Sequence, residues 1–187
     1  MSKPSLEEEY HRLKMTLKAY QAFFRSLAFS ELPRMAYQFL GGAGFAEVVE
    51  ALARATIAAL PSLIEATRGI AEMPSGDTLD KLAYHYTCHS AAREITKDMT
   101  IGLFKPVRVD RNKLVFEADK CPHSIEDNPL VPAAYVGVIV GVLRALGAKA
   151  YGVSDPKARR HLAGRGGVYM VYPDVKERCR IVVEYLE

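Results

Sequence analysis

The segment from Pro129 to Leu146 is almost entirely apolar and constrains the fold more than any other part of the chain. A helix that is apolar on every side must be surrounded by other elements, so the segment predicts a central, buried helix. Gly137 and Gly141 lie four residues apart and share one helix face, where a second backbone can approach closely. Gly147 predicts the end of the helix. The run contains Pro132 and falls short of the ~20 residues of a membrane span.

The remaining segments predict an α+β fold with helices packed on an antiparallel sheet. Helical periodicity covers the N-terminal thirty residues, 31–40, 45–71 and 78–97, and Pro61 predicts a kink or break. Strand-like segments cover 100–110, 112–119, 148–153, 168–172 and 178–186. A basic, glycine-rich insertion over 155–167 separates the last two from the strand before them.

The length and composition predict one domain over residues 1–187 with no membrane span. A net charge of +3 is too small to indicate a nucleic acid partner. The three cysteines lie far apart, which predicts reduced thiols rather than a disulfide framework. With no apolar signal core at the N-terminus, we expect a cytoplasmic protein.

The N-terminal residues 1–29 form a separate, strongly patterned unit. Ser5 and Glu8 have the spacing of a capping box. Apolar residues then recur at steps of four and three, as in a heptad seam: Leu6, Tyr10, Leu13, Leu17, Tyr20, Phe24 and Leu27. Two interpretations are open: the helix lies on its own core, or it pairs across a dimer interface.

Five of the eight Cys and His residues fall into two clusters. His85, Cys88 and His89 share one face if their segment is helical, and Cys121 and His123 follow the second predicted strand. Together they predict a metal site for zinc, or for iron, because imidazole and thiolate are ligands for both. The alternative is that they are ordinary core and edge residues and that no cofactor is bound.

A basic cluster falls in the insertion over 155–167. Arg159, Arg160 and Arg165 are candidate contacts for an anionic group. The alternative is a basic surface loop without a partner.

The order of motifs over residues 95–187 resembles the 4-vinyl-reductase family, also described as hydrocarbon-binding domains, which shares its fold with TRAPP components. The motifs are Val115-Phe-Glu-Ala-Asp-Lys-Cys121-Pro, the small-residue helix from Tyr135 and the strand beginning at Cys179. The family zinc site is not matched: only Cys179 falls at one of its places, and Val171 stands where a cysteine is usual.

The resemblance implies a TRAPP-like fold, an apolar ligand pocket and a homodimer built from N-terminal helices. We expect the pocket to be formed by apolar residues around the central helix, namely Tyr84, Tyr86, Phe104, Phe116, Tyr135 and Ile139. The function expected is therefore binding of a small hydrophobic or aromatic molecule, as a sensor or carrier. The alternatives are a metal-dependent enzyme that uses the His/Cys site and a TRAPP-like interaction scaffold.

Overall fold

The computed structural model of the protein describes residues 5–67, 74–96, 104–118, 128–175 and 178–187. For residues 63–67 and 88–96 it describes the backbone alone. The helices are α1 (Leu6–Ser26), α2 (Leu32–Leu40), α3 (Gly44–Thr67), α4 (Thr78–Thr96), α5 (Val131–Ala145) and α6 (Arg159–Ala163). The strands are β1 (Lys105–Asp110), β2 (Lys113–Ala118), β3 (Ala150–Gly152), β4 (Val168–Asp174) and β5 (Cys179–Leu186). The predicted α+β class is confirmed.

The five strands form one sheet in the order β1-β2-β5-β4-β3. The first three pairs are antiparallel, as expected, but β3 and β4 are parallel. The prediction of a wholly antiparallel sheet is therefore wrong at this edge. The reason is the connection: the chain between β3 and β4 includes α6, and a crossover of this kind returns the chain in the same direction.

Helix α5 lies at the centre of the fold, as its composition predicts. Eleven of its residues are buried, and it packs between the sheet and α3. Gly137 and Gly141 make the contact with α3 close. A Cβ atom at Gly141 would lie 2.6 Å from the Cβ of Thr56 and 2.8 Å from the carbonyl oxygen of Ala53.

Short-range signals set the end of α5, as predicted, and the turn between β1 and β2. Gly147 adopts φ +85°, and α5 ends where the amides of Gly147 and Ala148 donate to the carbonyl oxygens of Arg144 and Leu143, both at 3.0 Å. These two bonds form a Schellman motif. Between β1 and β2, the carboxylate of Asp110 accepts a 2.8 Å hydrogen bond from the next-but-one amide and fixes the hairpin turn.

Two predictions about irregular segments need correction. Helix α3 continues through Pro61 to Thr67, so the predicted break does not occur. The helix tolerates the backbone hydrogen bond that proline cannot donate, and a kink at this position stays a prediction. The basic insertion is not a loop: it forms a 3₁₀ turn and then α6. Leu162 of α6 is buried on the outer face of the sheet, in a second apolar cluster with Met170 and Val182.

Helices α1 and α2 are joined by the π-helical turn Leu27–Glu31, whose flanking residues keep helical dihedral angles. The carbonyl oxygen of Ser30 in this turn accepts a hydrogen bond at 3.3 Å from the buried side-chain amide of Asn128. Residues 6–40 form one helical rod. Its α2 part packs against the core through Leu32 and Ala36, and Pro33 is buried.

Candidate functional site

The apolar seam of the N-terminal helix is exposed along its whole length. We call its seven residues the stripe: Leu6, Tyr10, Leu13, Leu17, Tyr20, Phe24 and Leu27. Their side chains are between 45% and 85% exposed, and within the described part of the protein no residue of α1 is buried. The interpretation that this helix lies on its own core is therefore wrong.

The helix that carries the stripe is well formed without tertiary support. The capping box is present: the Ser5 amide donates to Glu8 at 2.8 Å, and the Ser5 hydroxyl accepts from the Glu8 amide at 3.3 Å. Three glutamates at residues 7–9 lie at the positive end of the helix dipole. With 21 residues, α1 exceeds the ~12–15 at which isolated helices are marginal.

An aromatic cluster lies where the rod meets the core. Tyr135 of α5 packs against Phe29 of the π-turn, with ring centroids 4.9 Å apart, and against Phe104, at 5.0 Å. On the other side of the same core, Tyr86 of α4 packs on Phe116 of β2 at 4.4 Å. The rings therefore form two groups in the main core, and the group of Phe29, Tyr135 and Phe104 is called the aromatic cluster.

The structure places five of the six predicted pocket residues in or against the main core, and Tyr84 is not among them. Four of the five are in ring contact, as the pairs Tyr86–Phe116 and Tyr135–Phe104. Phe104, Phe116 and Ile139 are buried, whereas Tyr84, Tyr86 and Tyr135 are partly exposed. Desolvation raises the pKa of Tyr86 and of Tyr135 above that of a free tyrosine. Both phenols are therefore neutral at physiological pH. Phe29 is a member of the cluster that the sequence analysis missed.

The predicted metal site lies largely outside the described residues. Of its five members only His85 has a described side chain, which is partly buried with its ring 5.7 Å from that of Tyr86. The side chains of Cys88, His89, Cys121 and His123 fall outside. Among the residues described, no three His, Cys, Asp or Glu side chains are grouped so as to hold a metal ion. The metal site therefore stays a prediction.

The expectation of three reduced cysteines is wrong for Cys179. This residue is buried at the start of β5 and forms a disulfide. The other two cysteines of the chain are Cys88 and Cys121, and both belong to the predicted metal set. A cysteine in a disulfide does not offer a thiolate, so Cys179 is not available as a metal ligand in this form.

Two of the three predicted anion contacts interact with the protein itself. Arg159 forms an ion pair with Glu184 of β5 at 3.0 Å, and the guanidinium of Arg165 lies 5.2 Å from the ring centroid of Tyr151. Arg160 is exposed on α6. An anion site at the three arginines therefore stays a prediction.

The outer face of the sheet carries a shallow groove of about 320 Å³ that the sequence analysis did not predict. Its floor includes Val107, Val115 and Val182, and Glu117 lies at its edge. Glu117 accepts hydrogen bonds from Arg178 at 2.6 Å and from Arg180 at 3.3 Å. The bond from Arg178 is the main reason that the pKa of Glu117 is lowered.

Two charged contacts fix the framework behind these surfaces. Arg144 of α5 donates two 2.7 Å hydrogen bonds to the carboxylate of Glu50 on α3 and one of 3.0 Å to the carbonyl oxygen of Ala150. This pairing with Arg144 lowers the pKa of Glu50. On β1, Arg108 forms an ion pair at 3.0 Å with Asp77, just before α4.

Comparisons with known proteins leave the resemblance to the vinyl-reductase-like family as a hypothesis. No family model, curated protein or solved structure matches the chain. Among the described helices, none is both long and apolar enough to cross a membrane.

Proposed function

We propose that the protein is an interaction module that binds another polypeptide through the stripe on α1. The observation that carries this proposal is the exposure of all seven stripe residues. Full burial of a large apolar side chain contributes about 1.5–3 kcal/mol. Covering seven half-exposed side chains therefore provides roughly 5–10 kcal/mol before the cost of association.

Two features of α1 favour binding to a protein: the helix is preformed, and its apolar face has coiled-coil spacing. Because the capping box and the favourable dipole charges form the helix in advance, little ordering free energy is lost on binding. An apolar face with four- and three-residue steps fits between the side chains of a second helix. Three glutamates offset the four arginine and lysine side chains of α1, so the helix has a net charge of only +1 and lacks the excess of basic residues that binds an anionic membrane surface.

The test is site-specific photocrosslinking in the host organism. Benzoylphenylalanine replaces Tyr20 on the stripe or, as the matched control, Ala19, which lies outside the stripe about 100° around the same helix. We expect a polypeptide adduct from position 20 and little from position 19. Adducts to lipid, no adduct, or equal yields at the two positions would refute the proposal.

Binding of a small apolar or aromatic molecule at the aromatic cluster is a second candidate, in a sensor or carrier role. The ring contacts among Phe29, Tyr135 and Phe104 favour this candidate. They connect the core directly to the helical rod of residues 6–40. A ligand that changes the packing of Tyr135 would thereby alter the base of the rod.

This second candidate is tested by calorimetric titration with 1-naphthol. We expect micromolar binding that Tyr135→Leu weakens at least tenfold. The control is Tyr169→Leu, which removes a ring that stacks on Tyr185 instead. Absence of binding to the wild-type protein, or equal loss in both variants, would contradict a site at the cluster.

A cytoplasmic location is a further proposal. The disulfide of Cys179 argues against it, because the location was inferred in part from reduced thiols.

A further inference from the structure

The π-turn extends the stripe onto α2. In an uninterrupted α-helix Phe39 would lie about 120° around the axis from Leu27, and Met35 about 80°. One extra residue in a π-helical turn rotates all later residues back by about 100°. Met35 and Phe39 therefore return to within about 20° of Leu27. Both are exposed, at 49% and 79%.

The extended stripe is complementary to itself when a second copy runs in the opposite direction. In such a pair, residues whose numbers add up to about 45 lie at the same level along the axis. Leu6 then meets Phe39 of the second copy, Tyr10 meets Met35, and Tyr20 lies within one residue of Phe24. Each of these layers occurs twice because of the two-fold symmetry.

The charges beside the stripe favour the same arrangement. At this register Lys14 lies level with Glu31 of the second copy, again twice by symmetry. Glu31 pairs with Arg34 of its own chain, and its side chain is 44% exposed. It can therefore also reach Lys14 of the second copy at the surface. A parallel pair would instead bring the acidic residues 7–9 of both copies together, which is repulsive.

We infer that the polypeptide bound by the stripe is a second copy of this chain, with the rods of residues 6–40 antiparallel and each α1 lying along the partner's α2. This inference rests on the proposed function and adds the identity and direction of the partner. The seven stripe residues together with Met35 and Phe39 make nine side chains, and at roughly 90 Å² each they bury about 800 Å² per copy, the size of a standard stable interface.

The inference is tested by charge reversal, with dimer dissociation measured by sedimentation equilibrium on the full chain at low salt. Lys14→Glu and Glu31→Lys should each weaken the dimer about tenfold, because each converts two attractive pairs into repulsive ones. The double variant should return to within about threefold of wild type. Lys18→Glu, the same change on the outer side of α1, is the control and should have less than a twofold effect.

A second pair of variants tests the role of the π-turn. Phe39→Glu should dissociate the dimer, whereas Tyr37→Glu should not, since Tyr37 lies about 180° from the stripe although it is also exposed. Equal effects of Phe39→Glu and Tyr37→Glu would refute the extended stripe.

If the double charge-reversal variant does not recover its dimer, the antiparallel register is refuted. A monomeric wild type would refute the inference that the partner is a second copy of this chain. If position 20 still crosslinks to a different polypeptide, the proposed function stands without this inference.

Discussion

Replacing Gly141 by alanine should destabilise the protein by about 2 kcal/mol, although alanine is the better helix former. The new Cβ would lie 2.6 Å from Thr56 and 2.8 Å from the Ala53 carbonyl oxygen, and the latter is backbone that cannot rotate away. Overpacking of this kind costs about 3 kcal/mol at the upper end of the usual range. The gain in helix propensity returns about 1 kcal/mol.

The assay for Gly141→Ala is urea unfolding followed by circular dichroism. With a slope near 2 kcal/mol per molar urea, the midpoint should fall by about 1 M. The control is Gly42→Ala, because a Cβ there meets no atom within 4 Å and the backbone is not left-handed. An unchanged or higher midpoint for Gly141→Ala would refute the close contact between α3 and α5.

Three further predictions concern the framework. Arg144 lowers the pKa of Glu50 below its ordinary value of 4.5, so the pair stabilises the fold at pH 7 and this contribution is lost as the pH falls below about 4.5. Glu50→Gln should cost about 1 kcal/mol at pH 7, and this cost should shrink as the pH falls from 4.5 towards the lowered pKa of the folded state; a cost in urea unfolding that does not shrink with acid would contradict this. Reducing the disulfide of Cys179 should cost about 2–4 kcal/mol in thermal unfolding. Three free thiols in a denatured, unreduced sample would disprove that bond. Arg108→Ala should accelerate amide exchange in the first turn of α4 by removing the ion pair with Asp77, and unchanged exchange would count against that contact.

The sequence was sufficient where local pattern and burial agree. The apolar run over 129–146 predicted α5. Gly137 and Gly141 predicted the close approach of a second backbone, which the structure identifies as that of α3. The alternation along β5 placed Cys179, Ile181 and Val183 on one face, and these residues are all in the main core. In each case the signal is a repeat at the helical or strand period, or a turn residue, which depends on neighbours along the chain.

The features that the sequence did not reveal depend on partners distant in sequence or on a single irregular turn. The parallel pairing of β3 depends on how the chain returns after α6. The second apolar layer depends on Leu162, which is one apolar residue in a basic segment. The heptad seam ends in sequence at Leu27, because its next positions are Glu31 and Arg34, and only the π-turn shows that Met35 and Phe39 continue it.

The stripe shows most clearly what the structure adds to the sequence. The periodicity predicted an amphipathic helix but left two positions for it, against its own core or against another chain. The structure excludes the first, since no residue of α1 is buried within the described protein. Exposure of this extent over seven consecutive seam positions is unusual for a monomer and typical of an interface.

The most direct test of this account is the molar mass of the full chain in solution, measured by light scattering across a concentration series, for wild type and Leu17→Glu. The chain has a mass of 20.7 kDa. The account predicts twice that mass for the wild type at micromolar concentration. It predicts the single-chain mass for Leu17→Glu, with unchanged helix content, and the wild-type mass for Ala19→Glu. A wild type with the single-chain mass at every concentration would contradict the pairing of two copies through the stripe.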